Sequence, residues 1–179
     1  MLRFDASSAE CLVFTYKEGL LSAVAHDLKI RVGRFTVHID PVSRAIEAHF
    51  DTGSLEVLCA MADGQERPRA LTAADKRKIE HTATTDVLGS ARYSEVQFVS
   101  SMVMPEGAGF RVEGNLSLHG QRRPVAFVTR AEGGHQVAEV KVHQPDFGIK
   151  PYSAMLGALK VKPDITVRVA LSARDLPVA

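Results

Sequence analysis

Residues 159 to 172 read Leu-Lys-Val-Lys-Pro-Asp-Ile-Thr-Val-Arg-Val-Ala-Leu-Ser, and this stretch decides the fold class. Leu159, Val161, Pro163, Ile165, Val167, Val169 and Leu171 take every second position, and the residues between them are mostly charged or hydroxylated. A period of two puts the apolar set on one face of a strand and leaves the other face wet. That is the mark of an antiparallel sheet, because parallel strands are buried on both faces and read as continuous apolar runs. At about 3.4 Å per residue the stretch spans on the order of 45 Å, a length suited to a strand that wraps around a closing barrel. A bend is expected at Pro163, where the missing N–H interrupts the ladder.

Residues 11–16 form a short apolar run rich in Val, Phe and Tyr, and further strands are read at residues 28–32, 35–39, 46–50, 96–104, 110–118, 125–129 and 137–142. The phase slips at Gly33-Arg34, which predicts a β-bulge that bends one strand. Turns are signalled at Asp40-Pro41, Gly107-Ala108-Gly109 and Glu132-Gly133-Gly134. The consistent reading is a mainly β protein, a lipocalin-like antiparallel β-barrel of about eight strands. One helix interrupts it over residues 72–88: Thr72 caps, Asp75 completes a capping box, and Ile79, Ala83 and Val87 recur every fourth residue. This helix is expected to cover one end of the barrel, with Lys76-Arg77-Lys78 as its solvated face. Residues 17–27 read as a loop or short helix at the mouth.

With 179 residues, 45% of them hydrophobic, the chain predicts a single domain over residues 1–179. Its 22 basic and 21 acidic side chains leave a net charge of +1, which argues against a nucleic-acid partner. Cys11 and Cys59 read as buried reduced thiols. His26, His38, His49, His81, His119, His135 and His143 show no metal-ligand spacing, and Ser22, Ser100, Ser101 and Ser117 lack a Gly-x-Ser-x-Gly context. The expectation is therefore a protein without metal, cofactor or catalytic residues. Met1 to Glu10 has no apolar stretch of the signal-peptide kind, and no apolar run reaches the length of a membrane span, which predicts a cytoplasmic, non-spanning protein.

If the wet residues of each strand face outward, the interior is built from Phe14, Phe35, Ile46, Phe50, Phe98, Val112, Leu116, Phe127, Phe147, Ile165 and Val167. Such a lining suits a long apolar ligand, held by burial at about 25 cal/mol per Å² with little directional contact. The same side chains also suit a filled core, since eight-stranded barrels are found in both forms.

Three segments in order carry a family resemblance. His26-Asp27 leads into Leu28-Lys29-Ile30-Arg31-Val32-Gly33-Arg34-Phe35. Phe110 opens a run through Gly114-Asn115-Leu116-Ser117-Leu118-His119-Gly120 that continues to Arg123-Pro124-Val125. Asp146-Phe147-Gly148-Ile149 precedes the terminal strand. Together these resemble the YceI-like family over most of the chain. The resemblance implies an extended lipocalin-like barrel that holds an isoprenoid chain, such as a polyprenyl phosphate or a quinone tail, in proteins that are often periplasmic and often homodimeric. The chain departs from the family where Asp75 to His81 and Asp86-Val87-Leu88-Gly89 stand for the usual Arg-Asp-x-His-Leu and Phe-Phe-Asp. It departs again where Gln144-Pro145 replaces a basic residue. For an amphiphilic ligand, His26, Arg34, Lys150 and Tyr152 are the expected headgroup contacts. The expected function is non-enzymatic binding or carriage of an isoprenoid or fatty ligand, and the alternative is a structural or stress-related interaction module with a solid core.

Overall fold

The computed structural model describes residues 1–19, 26–173 and 176. In chain order the strands are β1 (Leu2–Asp5), β2 (Ala9–Thr15), β3 (Lys17–Glu18), β4 (Asp27–Val32), β5 (Phe35–Ile39), β6 (Ile46–Asp51), β7 (Leu55–Ala62) and β8 (Gln65–Arg67). After the helix α1 (Ala73–His81) come β9 (Glu95–Glu106), β10 (Gly109–Leu118), β11 (Gln121–Glu132), β12 (His135–His143), β13 (Ser153–Ala154), β14 (Leu159–Val161) and β15 (Asp164–Ser172). Most of the segment expected as a mouth loop, from residue 20 to 25, lies outside the described residues.

The strand 159–172 breaks where Pro163 removes a donor. Beyond the break, β14 leaves the main sheet and pairs with β13 and β3, while β15 lies between β12 and β2. Twelve strands form one antiparallel ladder in the order β1-β5-β6-β9-β10-β11-β12-β15-β2-β4-β7-β8. The ladder does not close into a ring, so the architecture is an open antiparallel sheet and not the expected eight-stranded hydrogen-bonded barrel.

Its two ends are joined by the chain itself. β1 continues into β2, β4 into β5, and β6 into β7, each through a short corner, so three strands of one flank run on into three strands of the other. The phase slip at Gly33-Arg34 is the middle corner. There the Gly33 N–H donates to the Ser54 carbonyl (2.8 Å), the Arg34 N–H to Ser54 Oγ (2.9 Å), and the Asp51 N–H to the Arg34 carbonyl (3.0 Å). A Cβ on Gly33 would lie 2.8 Å from Glu56 Oε1 and 3.1 Å from the Ser54 carbonyl, which accounts for glycine at the bend.

The capping box forms as its spacing predicts: Thr72 Oγ1 accepts from the Asp75 N–H (3.1 Å), and the Asp75 carboxylate accepts from the Thr72 N–H (2.9 Å). Only residues 73–81 are α-helical, and residues 82–87 continue as a wider π-helical turn. The end of the helical stretch, Val87 and Leu88, packs against the buried cluster of Leu118, Val142, Phe147 and Ile149 at one end, whereas α1 itself lies to the side. It covers an edge of β7, whose partner β8 pairs only with Ala60 to Ala62. Glu80 accepts from the Val57 N–H (2.8 Å), and Lys76 donates to the Leu58 carbonyl (2.7 Å). One member of the basic triplet thus satisfies backbone at a sheet edge.

One buried cluster, including Phe4, Val32, Phe35, Val37, Phe98 and Val112, sits where the two flanks meet. A second is made by Leu118, Val142, Phe147 and Ile149, with Val87, Leu88 and Val96 packed against it. On the outer face, Leu12, Val137 and Ala170 are also buried. Register places them beside Arg168, Arg130 and Glu10, and Arg168 reaches Glu132 (2.8 Å), Glu139 (3.6 Å) and Glu10 (3.9 Å). Long charged side chains laid over a small apolar seam keep it dry while their heads stay in water.

Candidate binding cavity

The inner face of the curled sheet encloses a cavity of about 280 Å³. The volume sits near the lower bound of known ligand pockets. Strand alternation builds the wall: Ile165, Val167, Val169 and Leu171 of β15, Phe110, Val112, Leu116 and Leu118 of β10, and Val125 and Phe127 of β11 all point inward. At the bulge between Glu113 and Gly114, a Cβ on Gly114 would come within 2.6 Å of the Phe98 ring, so the glycine lets Phe98 lie flat across the wall. Phe98 and Phe127 meet there at 5.7 Å between centroids.

Of the residues expected in the interior, Ile46, Phe50, Phe98, Val112, Leu116, Phe127, Ile165 and Val167 line the cavity. Three do not. Phe35 shares the parity of Val37 and Ile39 but is buried among its neighbours, stacked on Phe50 at 5.9 Å. Phe147 lies in the second cluster beneath the cavity. Phe14 falls on the opposite parity from Cys11 and Val13, which face inward, so it points to the outer face.

None of the four expected headgroup residues is on the cavity wall. His26 is exposed ahead of β4, where Asp27 accepts the Lys17 N–H (2.7 Å). Lys150 and Tyr152 are exposed on the segment leading to β13. Arg34 sits past the other end of β4, beyond the corner at Gly33, and is paired with Asp51 (2.8 Å).

The polar side chains that do reach the wall are Arg44, Asp51, Thr52, Thr129, Gln136 and Gln144. Thr129 and Gln136 share the inward parity of Phe127 and Ala138, so alternation alone locates them. Arg44 lies in a turn without periodicity. These residues divide the cavity into two ends. At the turn end, beneath the β5–β6, β9–β10 and β11–β12 hairpins, Arg44 lies over the Phe110 ring (5.6 Å). There Thr129 Oγ1 accepts the Phe110 N–H (2.9 Å) and donates to Gln136 Oε1 (3.2 Å). At the other end, the second cluster forms a floor.

Two of the three segments that carried the family resemblance, 110–125 and 146–149, meet at this floor. The short 3-10 turn Gln144–Phe147 ends at Gly148, whose φ of 69° is left-handed and suits glycine. Arg123 donates to the Asp146 carbonyl (3.1 Å), and His119 donates to the Phe147 carbonyl (3.3 Å). Gln144, 6% exposed, donates to the Lys162 and Pro163 carbonyls (3.1 and 3.4 Å) and so bonds the backbone next to the strand break.

The YceI-like domain model matches residues 4–173. The chain belongs to the YceI-like family. Among solved structures, BcnA from Burkholderia cenocepacia is similar in fold, with 15% identity, 91% of this chain and 94% of that chain covered, and a TM-score of 0.62. The YCEI protein of Campylobacter jejuni aligns less well, at 12% identity over 63% of this chain and 65% of that one, with a TM-score of 0.42. No curated protein matches the sequence. Among the described residues of this YceI-like chain, no group of three His, Cys, Asp or Glu side chains is placed to hold a metal, and no helix is long and apolar enough to cross a membrane.

Burial sets the chemistry of the two cysteines. Cys11, on the cavity wall, is 1% exposed, and desolvation pushes its thiol up to about 12. Cys59 is likewise raised by burial. Neither is a nucleophile at neutral pH.

Proposed function

We propose that this protein is a non-enzymatic carrier for a long, largely apolar molecule, an isoprenoid or fatty chain, and that its curled sheet works as a lipocalin-like container. The observation that carries this reading is the cavity bounded by Leu116, Phe127, Val167 and their inward neighbours, where a sheet of this size has packed its walls and left the axis free. Each methylene moved from water into such a lining gains about 0.8 kcal/mol. A chain of a dozen carbons thus has gross burial near 10 kcal/mol, from which ordering and association costs are subtracted. Membership of the YceI-like family supports the reading.

Native mass spectrometry of the purified protein, with solvent extraction of whatever it holds, tests it. The expected result is a mass increment removed by organic solvent and restored by a long-chain amphiphile. A protein that is empty as purified and takes up no apolar probe is instead a structural module with a solid core.

A further inference from the structure

We propose that Arg44 receives the acidic end of the ligand, so that the natural cargo is an anionic amphiphile with a carboxylate or phosphate headgroup at the turn end of the cavity. The inference rests on the carrier reading above. It follows from asking where each polar side chain on the wall spends its hydrogen bonds. Asp51 pairs with Arg34 and accepts the Gly53 N–H, Thr52 donates to the Tyr93 carbonyl, and Thr129 is held between the Phe110 N–H and Gln136. Gln136 also donates to the Ala108 carbonyl, and Gln144 donates to two carbonyls near the floor. Arg44 is the exception among these wall residues: its contact is the face of the Phe110 ring, which leaves the donor edges of the guanidinium unused.

The backbone turns Arg44 toward this position. Asp40 Oδ1 accepts the Val42 and Ser43 N–H groups (2.8 Å each), and the Arg44 N–H returns to the Asp40 carbonyl (2.8 Å). The turn closes with Arg44 in the left-handed region, at φ 62°, uncommon for a residue other than glycine. Val42, two residues earlier, is 92% exposed, whereas Arg44 is partly buried at the cavity rim. The nearest acids in sequence are engaged elsewhere and form no pair with it: Glu47 with His49 and Gln97, and Asp40 with backbone donors. A planar fork of donors, set over an aromatic ring beside an apolar tube, matches the two oxygens of a carboxylate or phosphate.

The test compares decanoate, decyl phosphate and decanol as competitors of an apolar fluorescent probe, using the intact protein and the variants Arg44→Gln and Arg44→Lys. Both acids are expected to bind the unaltered protein at least tenfold more tightly than decanol, with the preference falling as salt rises. Arg44→Gln should erase the preference while leaving decanol affinity within twofold, and Arg44→Lys should keep part of it. The stronger of the two acids identifies the headgroup. If decanol equals the acids, or if folded Arg44→Gln retains the preference, the inference is overturned and the carrier reading stands. If none of the three displaces the probe, the carrier reading itself fails.

Discussion

The two ends of the cavity are built on opposite principles. The floor is closed by apolar packing: Leu118, Val142, Phe147 and Ile149 are buried together, and the polar groups around them are tied to backbone carbonyls. The turn end is made of hairpin loops and carries Thr129, Gln136 and Arg44 on its wall. Polar side chains reach both ends, but Asp51, Thr52 and Gln144 are engaged with protein groups whereas Arg44 at the turn end meets only the Phe110 ring, and that difference gives the container a direction.

The floor is where substitution should cost most. Phe147→Ala removes a side chain that is 3% exposed and leaves a void among its neighbours; urea unfolding should show a loss of about 3–5 kcal/mol. A loss below about 1 kcal/mol would mean that the floor is loosely packed and the contrast is false. At the turn end, Thr129→Val removes the partner of both the Phe110 N–H and Gln136. The same measurement should give about 1–3 kcal/mol, the cost of an unpaired buried donor.

Between the ends, Leu116→Trp adds volume where the cavity is expected to have room. Stability should change by less than about 1 kcal/mol while probe uptake falls at least tenfold; a loss of about 1–3 kcal/mol with uptake unchanged would show the wall to be already filled.

The smallest effect lies outside both ends. Burial opposes protonation of His49, but the hydrogen bonds that its ring donates to Glu47 (3.0 Å) and Glu95 (2.9 Å) outweigh it and raise its pKa above the ordinary histidine value. A raised histidine contributes stability that is full below the unfolded pKa and is lost as pH rises through the folded one. Melting temperatures at roughly pH 6 and pH 8 should therefore differ slightly more for the natural chain than for His49→Gln, with cavity binding unchanged in both. If the variant shows the same pH response, the two carboxylates do not hold the imidazolium.

Much of this plan was legible in residue order, because strand parity is a strict rule. Ile165 and Val167 face the cavity for the same reason that Lys160 and Arg168 do not, and the slip at Gly33-Arg34 marks a true corner. Parity also explains the misplaced Phe14: the run 11–16 is apolar on both faces, and nothing in it says which side is inner. Leu12 is buried on the outer side by the Arg168 network, a cover assembled from four separate strands that no local pattern announces. Sheet closure was overestimated because an alternating run across Pro163 looks like one wrapping strand, although the proline divides it between two sheets. The motifs around His119 and Asp146 secure the floor, which no side-chain pattern near them announces. Arg44 is not legible in residue order because a turn has no period, and its place at the wall shows only in its contact with the Phe110 ring.

Cys11 gives the cavity an internal gauge. Its sulfur forms part of the wall, stays protonated at neutral pH and has few contacts with bulk water. The S–H stretch absorbs in a region of the infrared spectrum where other protein groups are silent, and its frequency follows the polarity of what lies next to it. With Cys59→Ala removing the second signal, filling and emptying of the interior become readable from a single vibration, with no label added.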